Sequence, residues 1–146
     1  MNTRVILLLS LALWLLSCSD GNILTPRNFT RLDEAEARWK AHGIKQYTLT
    51  QRRQCYCGLL AYPLTLSIDS IGKIVRARDA KGDSINTAFG TSIESIFANI
   101  RAMQSRTDAS FEVRYDSVYG YPRFLSADPI KQAIDDEYVL ETTLVR

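Results

Sequence analysis

The stretch Leu60–Arg78, LAYPLTLSIDSIGKIVRAR, decides the fold class. Leu60, Tyr62, Leu64, Leu66 and Ile68 fall on every second position, the period of a half-buried strand. Pro63 lies inside that run and pushes it toward an edge position or a late strand start, because proline has no N–H for a ladder. Asp69-Ser70-Ile71-Gly72-Lys73 reads as a hairpin loop, with Gly72 able to take a left-handed conformation. Ile74–Arg78 then returns as the partner strand.

Outward from this hairpin the period changes. Thr30–His42 reads as a short helix: Thr30 can cap it, Asp33 at the third position suits its positive end, and Gly43 can stop it. Leu32, Ala35 and Trp39 form its apolar stripe. From Ile44 onward a strand pattern appears, with Tyr47 and Leu49 alternating with Thr48 and Thr50. On the other side, Asp79–Gly90 is a polar connection. Thr91 and Glu94 then make a capping box for a helix reaching Gln104, lined by Ile93, Ile96, Phe97, Ile100 and Met103 as core. Phe111, Val113 and Tyr115 alternate with Glu112 and Arg114. Tyr119-Gly120-Tyr121-Pro122 makes a turn, Arg123–Ser126 runs back, and Glu137–Val145 forms the last strand.

The expectation is an α+β fold: an antiparallel sheet with two helices packed on one face. Ile68-Asp69-Ser70-Ile71-Gly72 echoes Tyr115-Asp116-Ser117-Val118-Tyr119-Gly120 with one inserted residue, and each precedes a returning strand. The echo suggests a duplicated αβββ unit.

The first seventeen residues read as an address. A charged start containing Arg4 precedes Val5–Leu16, apolar except for Ser10. Twelve helical residues reach only about 18 Å, short of a roughly 30 Å hydrocarbon core, so a permanent spanning helix is not expected. Leu15-Leu16-Ser17-Cys18 resembles a lipobox, the processing site of bacterial lipoproteins. That resemblance implies residues 1–17 as signal peptide, and Cys18 as the lipidated first residue, carrying palmitate-type acyl chains. Gly21 and Pro26 make 18–28 read as a short lipidated tether, and 29–146 as one domain. Ser19 beside the cysteine points to the outer membrane, facing the periplasm. The other readings are an ordinary secretion signal or a buried first helix.

Composition limits the function classes. The chain of 146 residues carries 18 basic and 16 acidic residues. Without Arg4 the balance is nearly even, which does not suit a nucleic-acid partner. The expected partners are the membrane, through the N-terminal lipid, and an envelope protein. Cys55-Tyr56-Cys57 is the most distinctive local feature. Both thiols point the same way in a regular strand, roughly 6.5 Å apart at Cα, so a disulfide there needs a bend or bulge. A tight disulfide, reduced core cysteines, and redox or metal chemistry all remain readings of this unit.

His42, the only histidine, ends a helix, and no second ligand gives it a zinc-site spacing. No catalytic, metal-ligating or cofactor-binding residue is singled out. Asp135-Asp136-Glu137 reads as a solvated turn with weak cation binding behind it. Arg52, Arg53, Arg76 and Arg78 could gather, or simply face solvent. Tyr119, Tyr121 and Arg123 are the candidate partner-binding residues: exposed tyrosines suit recognition, and buried ones complete the sheet.

Together, Trp39 with Tyr47, the Cys55-Tyr56-Cys57 unit, Ile96-Phe97, and Val113-Arg114-Tyr115-Asp116 are similar to an uncharacterised family of small exported bacterial proteins. Many of these are lipoproteins. Gly120-Tyr121-Pro122-Arg123, Asp128 and Asp136-Glu137 extend the resemblance to nearly all of the expected mature chain. It implies an envelope location and a shared fold, and it brings no catalytic or binding residues. The functional expectation is a non-enzymatic envelope lipoprotein that binds or supports another component. A lipid or small-molecule carrier is the alternative, with an enzyme third.

Overall fold

The computed structural model describes residues 30–55 and 62–145. Helix α1, Leu32–Ala41, opens the domain and is followed by β1 (Tyr47–Cys55), β2 (Leu64–Ile68) and β3 (Ile74–Arg78). A 3-10 turn at Thr87–Phe89 leads to α2 (Ile93–Gln104), then β4 (Ser110–Tyr115), β5 (Pro122–Asp128) and β6 (Tyr138–Val145). The six strands form one sheet in the order β3-β2-β1-β6-β5-β4, antiparallel at every junction. The expected α+β architecture is therefore present.

Pro63 acts as a late strand start. β2 begins at Leu64 and is internal, pairing with both β1 and β3. The first helix departs from its expected cap. It starts one residue later than a Thr30 cap requires, with Arg31 at the cap position and no side-chain cap bond. Arg31 instead grips Asp33 (Nε to Oδ1 3.1 Å, Nη2 to Oδ2 2.8 Å). In α2 the cap is Ser92, whose hydroxyl accepts from Ser95 N, rather than Thr91.

Inward side chains follow the pairing register. Leu49 faces Leu66 and Leu144, Leu66 faces Ala77, and Leu125 faces Leu140 and Val113. These meet Leu32, Ala35 and Trp39 of α1 and Ile93, Ile96, Phe97, Ile100 and Met103 of α2 in one core. The helices also bridge each other through Glu36, which takes ion pairs from Lys40 (2.7 Å) and Arg101. One sheet face is thus covered, and Thr48, Thr50, Arg52, Ser67 and Thr143 lie on the other. The element order does repeat αβββ, and the strand orders β3-β2-β1 and β6-β5-β4 run the same way across the sheet. The directions are inverted between the two halves, because β1 meets β6 antiparallel.

Cys55 closes β1 opposite Tyr138 of β6 and is disulfide-bonded; its expected partner Cys57, like Cys18, lies outside the described residues. The expected signal peptide and tether also lie outside the described residues, and no described helix is long and apolar enough to cross a membrane.

Two glycines separate backbone freedom from packing. Gly43 has φ +62° with open space where a Cβ would stand. Gly120 has φ +80°, and a Cβ there would meet Ala35 O at 2.4 Å and Arg38 Cβ at 2.9 Å. Gly43→Ala should cost about 1 kcal/mol, the left-handed penalty alone. Gly120→Ala should cost roughly 3 kcal/mol or more, since the turn must also leave α1. Urea denaturation of both variants checks the difference, and equal losses would contradict it.

Candidate functional site

The turn joining β4 to β5 carries the tyrosines and the arginine that the sequence singles out. Asp116 organises it: Oδ1 accepts from the N–H groups of Val118 (3.0 Å) and Tyr119 (2.7 Å), and its own N–H donates to Tyr121 O (2.8 Å). Val118 O turns toward α1 and accepts from Arg38 Nε (2.9 Å) and His42 Nε2 (3.0 Å). The His42 ring lies 4.6 Å from that of Tyr119. The single histidine therefore latches this turn to the helix.

The latch decides what the turn presents. Tyr121 is only 5% exposed, packs edge-on to Trp39 at 6.1 Å, and accepts a hydrogen bond from Leu144 N (3.2 Å). Its hydroxyl serves β6 beside Pro122, which opens β5 without an N–H of its own. Tyr119 is half-buried against His42, and Arg123 alone of the three is exposed. Arg123 lines an open depression of about 410 Å³ with Arg114, Asp116, Phe124 and Glu141. The Arg114 guanidinium lies 3.7 Å from the centre of the Phe124 ring and 3.3 Å from a Glu112 oxygen. Glu141 is the cross-strand neighbour of both Arg52 and Phe124. Mixed charge around a capped aromatic ring, open to water, suits hydrogen-bonded recognition of a polar surface.

The other sequence candidates do not converge on this cleft. Cys55 and Glu137 line a separate depression of about 330 Å³, with Gln54, Ser126 and Tyr138, toward the opposite ends of β5 and β6. Cys55 is disulfide-bonded and presents no free thiol to this depression. Asp135 takes φ 67° ahead of β6, and among the described residues no group of three His, Cys, Asp or Glu is placed to hold a metal. Asp128 and Asp136 each keep one buried carboxylate oxygen without a hydrogen-bond partner. The four arginines are dispersed. Arg53 lies over the Tyr138 ring at 4.6 Å on the helix-covered face, while β2 separates Arg52 from Arg76 and Arg78.

Two polar residues take tertiary partners that the sequence did not indicate: Glu94, expected only as part of a helix cap, and Gln51. Glu94 receives Trp39 Nε1 (3.0 Å) and the Tyr47 hydroxyl (2.5 Å), and that hydroxyl also accepts from Ile93 N (3.0 Å). Gln51, 2% exposed, clamps Thr91 through both its N–H and its C=O at 2.9 Å. A glutamine on the inward parity of Tyr47 and Leu49 was the available signal, since a buried amide needs partners.

The match to a family model runs over residues 31–146, taking in both helices and all six strands. The chain belongs to a family of unknown function, DUF6174. No curated protein and no solved structure matches it. Family membership carries the fold and no assigned activity.

Burial raises the hydroxyl pKa of Tyr47, Tyr115, Tyr121 and Tyr138 above the ordinary 10.0, and Glu94 raises that of Tyr47 further. Tyr115 is pushed up to about 12. A raised pKa in the folded state means that folding favours the protonated phenol. The stabilisation is complete below pH 10 and is lost as pH climbs through 10 toward the folded values. Phenolate absorbance should therefore rise steeply together with loss of circular dichroism, well above pH 10. A smooth titration at pH 10 with the fold intact would contradict this burial.

Proposed function

We propose that this chain is a non-enzymatic envelope lipoprotein, held by lipid on Cys18 and displaying its uncovered sheet face to another envelope component. The contact centres on Arg123 and the cleft it shares with Arg114, Phe124 and Glu141. The observation that carries the reading is the latched turn: Arg38, His42 and Asp116 spend their hydrogen bonds fixing the β4–β5 turn, and Arg123 follows on a rigid base. A preorganised rim loses little conformational entropy on binding.

The lipid and the location rest on the sequence. Leu15-Leu16-Ser17-Cys18 has the form of a lipoprotein processing site, and Ser19 favours the outer membrane, facing the periplasm. Two or more acyl chains would hold the domain stably. The filled interior supports surface binding over carriage of a lipid or small molecule. Leu49, Leu66, Ile93, Ile96 and Ile100 are all below 2% exposed, so the space between sheet and helices is occupied.

Cross-linking in intact envelopes, followed by mass spectrometry, tests the reading. The full-length chain should capture one reproducible partner, and Arg123→Glu should reduce that capture about tenfold, the effect of reversing one central charge. Cys18→Ser, exported by an ordinary secretion signal, should leave the membrane in a high-salt wash that the acylated chain withstands. Undiminished capture by Arg123→Glu would overturn the site. A Cys18→Ser chain that withstands the same wash would overturn the lipid anchor.

A further inference from the structure

One end of the sheet gathers apolar and cationic side chains that the core does not use. β1 and β3 begin there, and β2 and β6 end there. The turn from β2 to β3 carries Ile71, 83% exposed. Val75, at the bulge where β3 shifts register against β2, is 57% exposed, and Val145 on β6 is 44% exposed. The register places Arg76, Ser67, Thr48 and Val145 in one row across the uncovered face. Thr48, Ser67, Val75 and Val145 border a single open depression of about 570 Å³.

Cations surround these apolar groups. Lys73 and Arg76 flank Val75, and Lys45 stands just ahead of β1; all three are exposed, and none forms an ion pair with a described carboxylate. The two carboxylates near the turn are engaged elsewhere. Asp69 Oδ1 accepts from the N–H groups of Ile71 (3.0 Å) and Lys73 (2.9 Å), which stiffens the turn, and Glu94 is held by Trp39 and Tyr47. A rigid turn with an isoleucine at its tip, set among unpaired lysine and arginine, has the chemistry of interfacial lipid contact. The apolar tip enters the headgroup boundary while the cations meet phosphates. A protein interface would favour aromatic anchors and would be depleted of lysine.

We propose that this end of the sheet, through Ile71, Val75 and Val145 with Lys45, Lys73 and Arg76, rests on an anionic phospholipid bilayer. The contact relies on the membrane location inferred above, but needs neither lipid on Cys18 nor the Arg123 cleft. Thirteen residues separate Cys18 from Leu32. That length extends to at most about 45 Å, so an anchored domain can bring this end to the surface. The contact would orient the domain with the β4–β5 turn and the Arg123 cleft at the same end of the sheet, beyond β6.

The test uses the mature chain with Cys18→Ser, so that no acyl chain contributes, sedimented with vesicles. Vesicles of phosphatidylethanolamine and phosphatidylglycerol should retain it at least about tenfold better than phosphatidylcholine vesicles, and added salt should weaken that retention. Ile71→Ser should reduce binding about tenfold, and Lys73→Gln or Arg76→Gln about fivefold each, with urea midpoints unchanged because all three side chains are exposed. Lys131→Gln, an exposed cation at the opposite end of the sheet, should leave vesicle binding within about twofold. Equal retention on both vesicle types, no retention on either, or Ile71→Ser binding like its parent would overturn the proposal. Partner capture that depends on Arg123 could stand or fall independently of any of these results.

Discussion

The Glu94 carboxylate joins three elements that are distant in sequence. It takes the indole N–H of Trp39 from α1 and the hydroxyl of Tyr47 from β1, and Tyr47 in turn receives the first N–H of α2. The carboxylate sits in the first turn of its own helix, where the backbone dipole favours negative charge. Hydrogen bonds to a charged group are worth about 1.5–3 kcal/mol each, and the edge-to-face contact of Trp39 on Tyr47 at 5.3 Å adds to them. With this junction in place both helices lie on the same side of the sheet, and the other side has no helix to cover it.

That one-sidedness governs what the molecule can offer a partner. The described side chains of the covered face pack with both helices into one core. The uncovered face carries hydroxyls and alternating charges, with Phe124 shielded by Arg114. The β4–β5 turn shows how rigidity reaches that surface: a buried tyrosine, a close glycine and the lone histidine hold it against α1, and only Arg123 projects.

Strand pairing adds a second constraint. Two αβββ segments in series can place both helices on one face in several ways. Here the first strand of one half pairs with the last strand of the other. The junction leaves β3 and β4 as the outer strands. Arg78 forms a further bridge with Ser84, and Arg114 pairs with Glu112 on the outermost strand. Charges and short strands at an edge discourage unwanted pairing with other chains.

Periodicity in the sequence determined both helices, the strands and the hairpin at Gly72, because side-chain spacing along a helix or strand is a local property of the backbone. It also marked Trp39 and Tyr47 as inward, and left Pro63 either at an edge or at a late strand start, of which the structure shows the second. The tertiary structure alone decided the order of strands, the partners of Glu94 and Gln51, and the burial of Tyr121 beside an exposed Arg123. Each of those depends on contacts between residues about 20 to 80 positions apart, where spacing along the chain carries no signal. The cap of α2 shows the boundary between the two. The local pattern favoured Thr91 and Glu94, but Gln51 holds Thr91 by its backbone and Trp39 and Tyr47 draw Glu94 away, so Ser92 caps the helix.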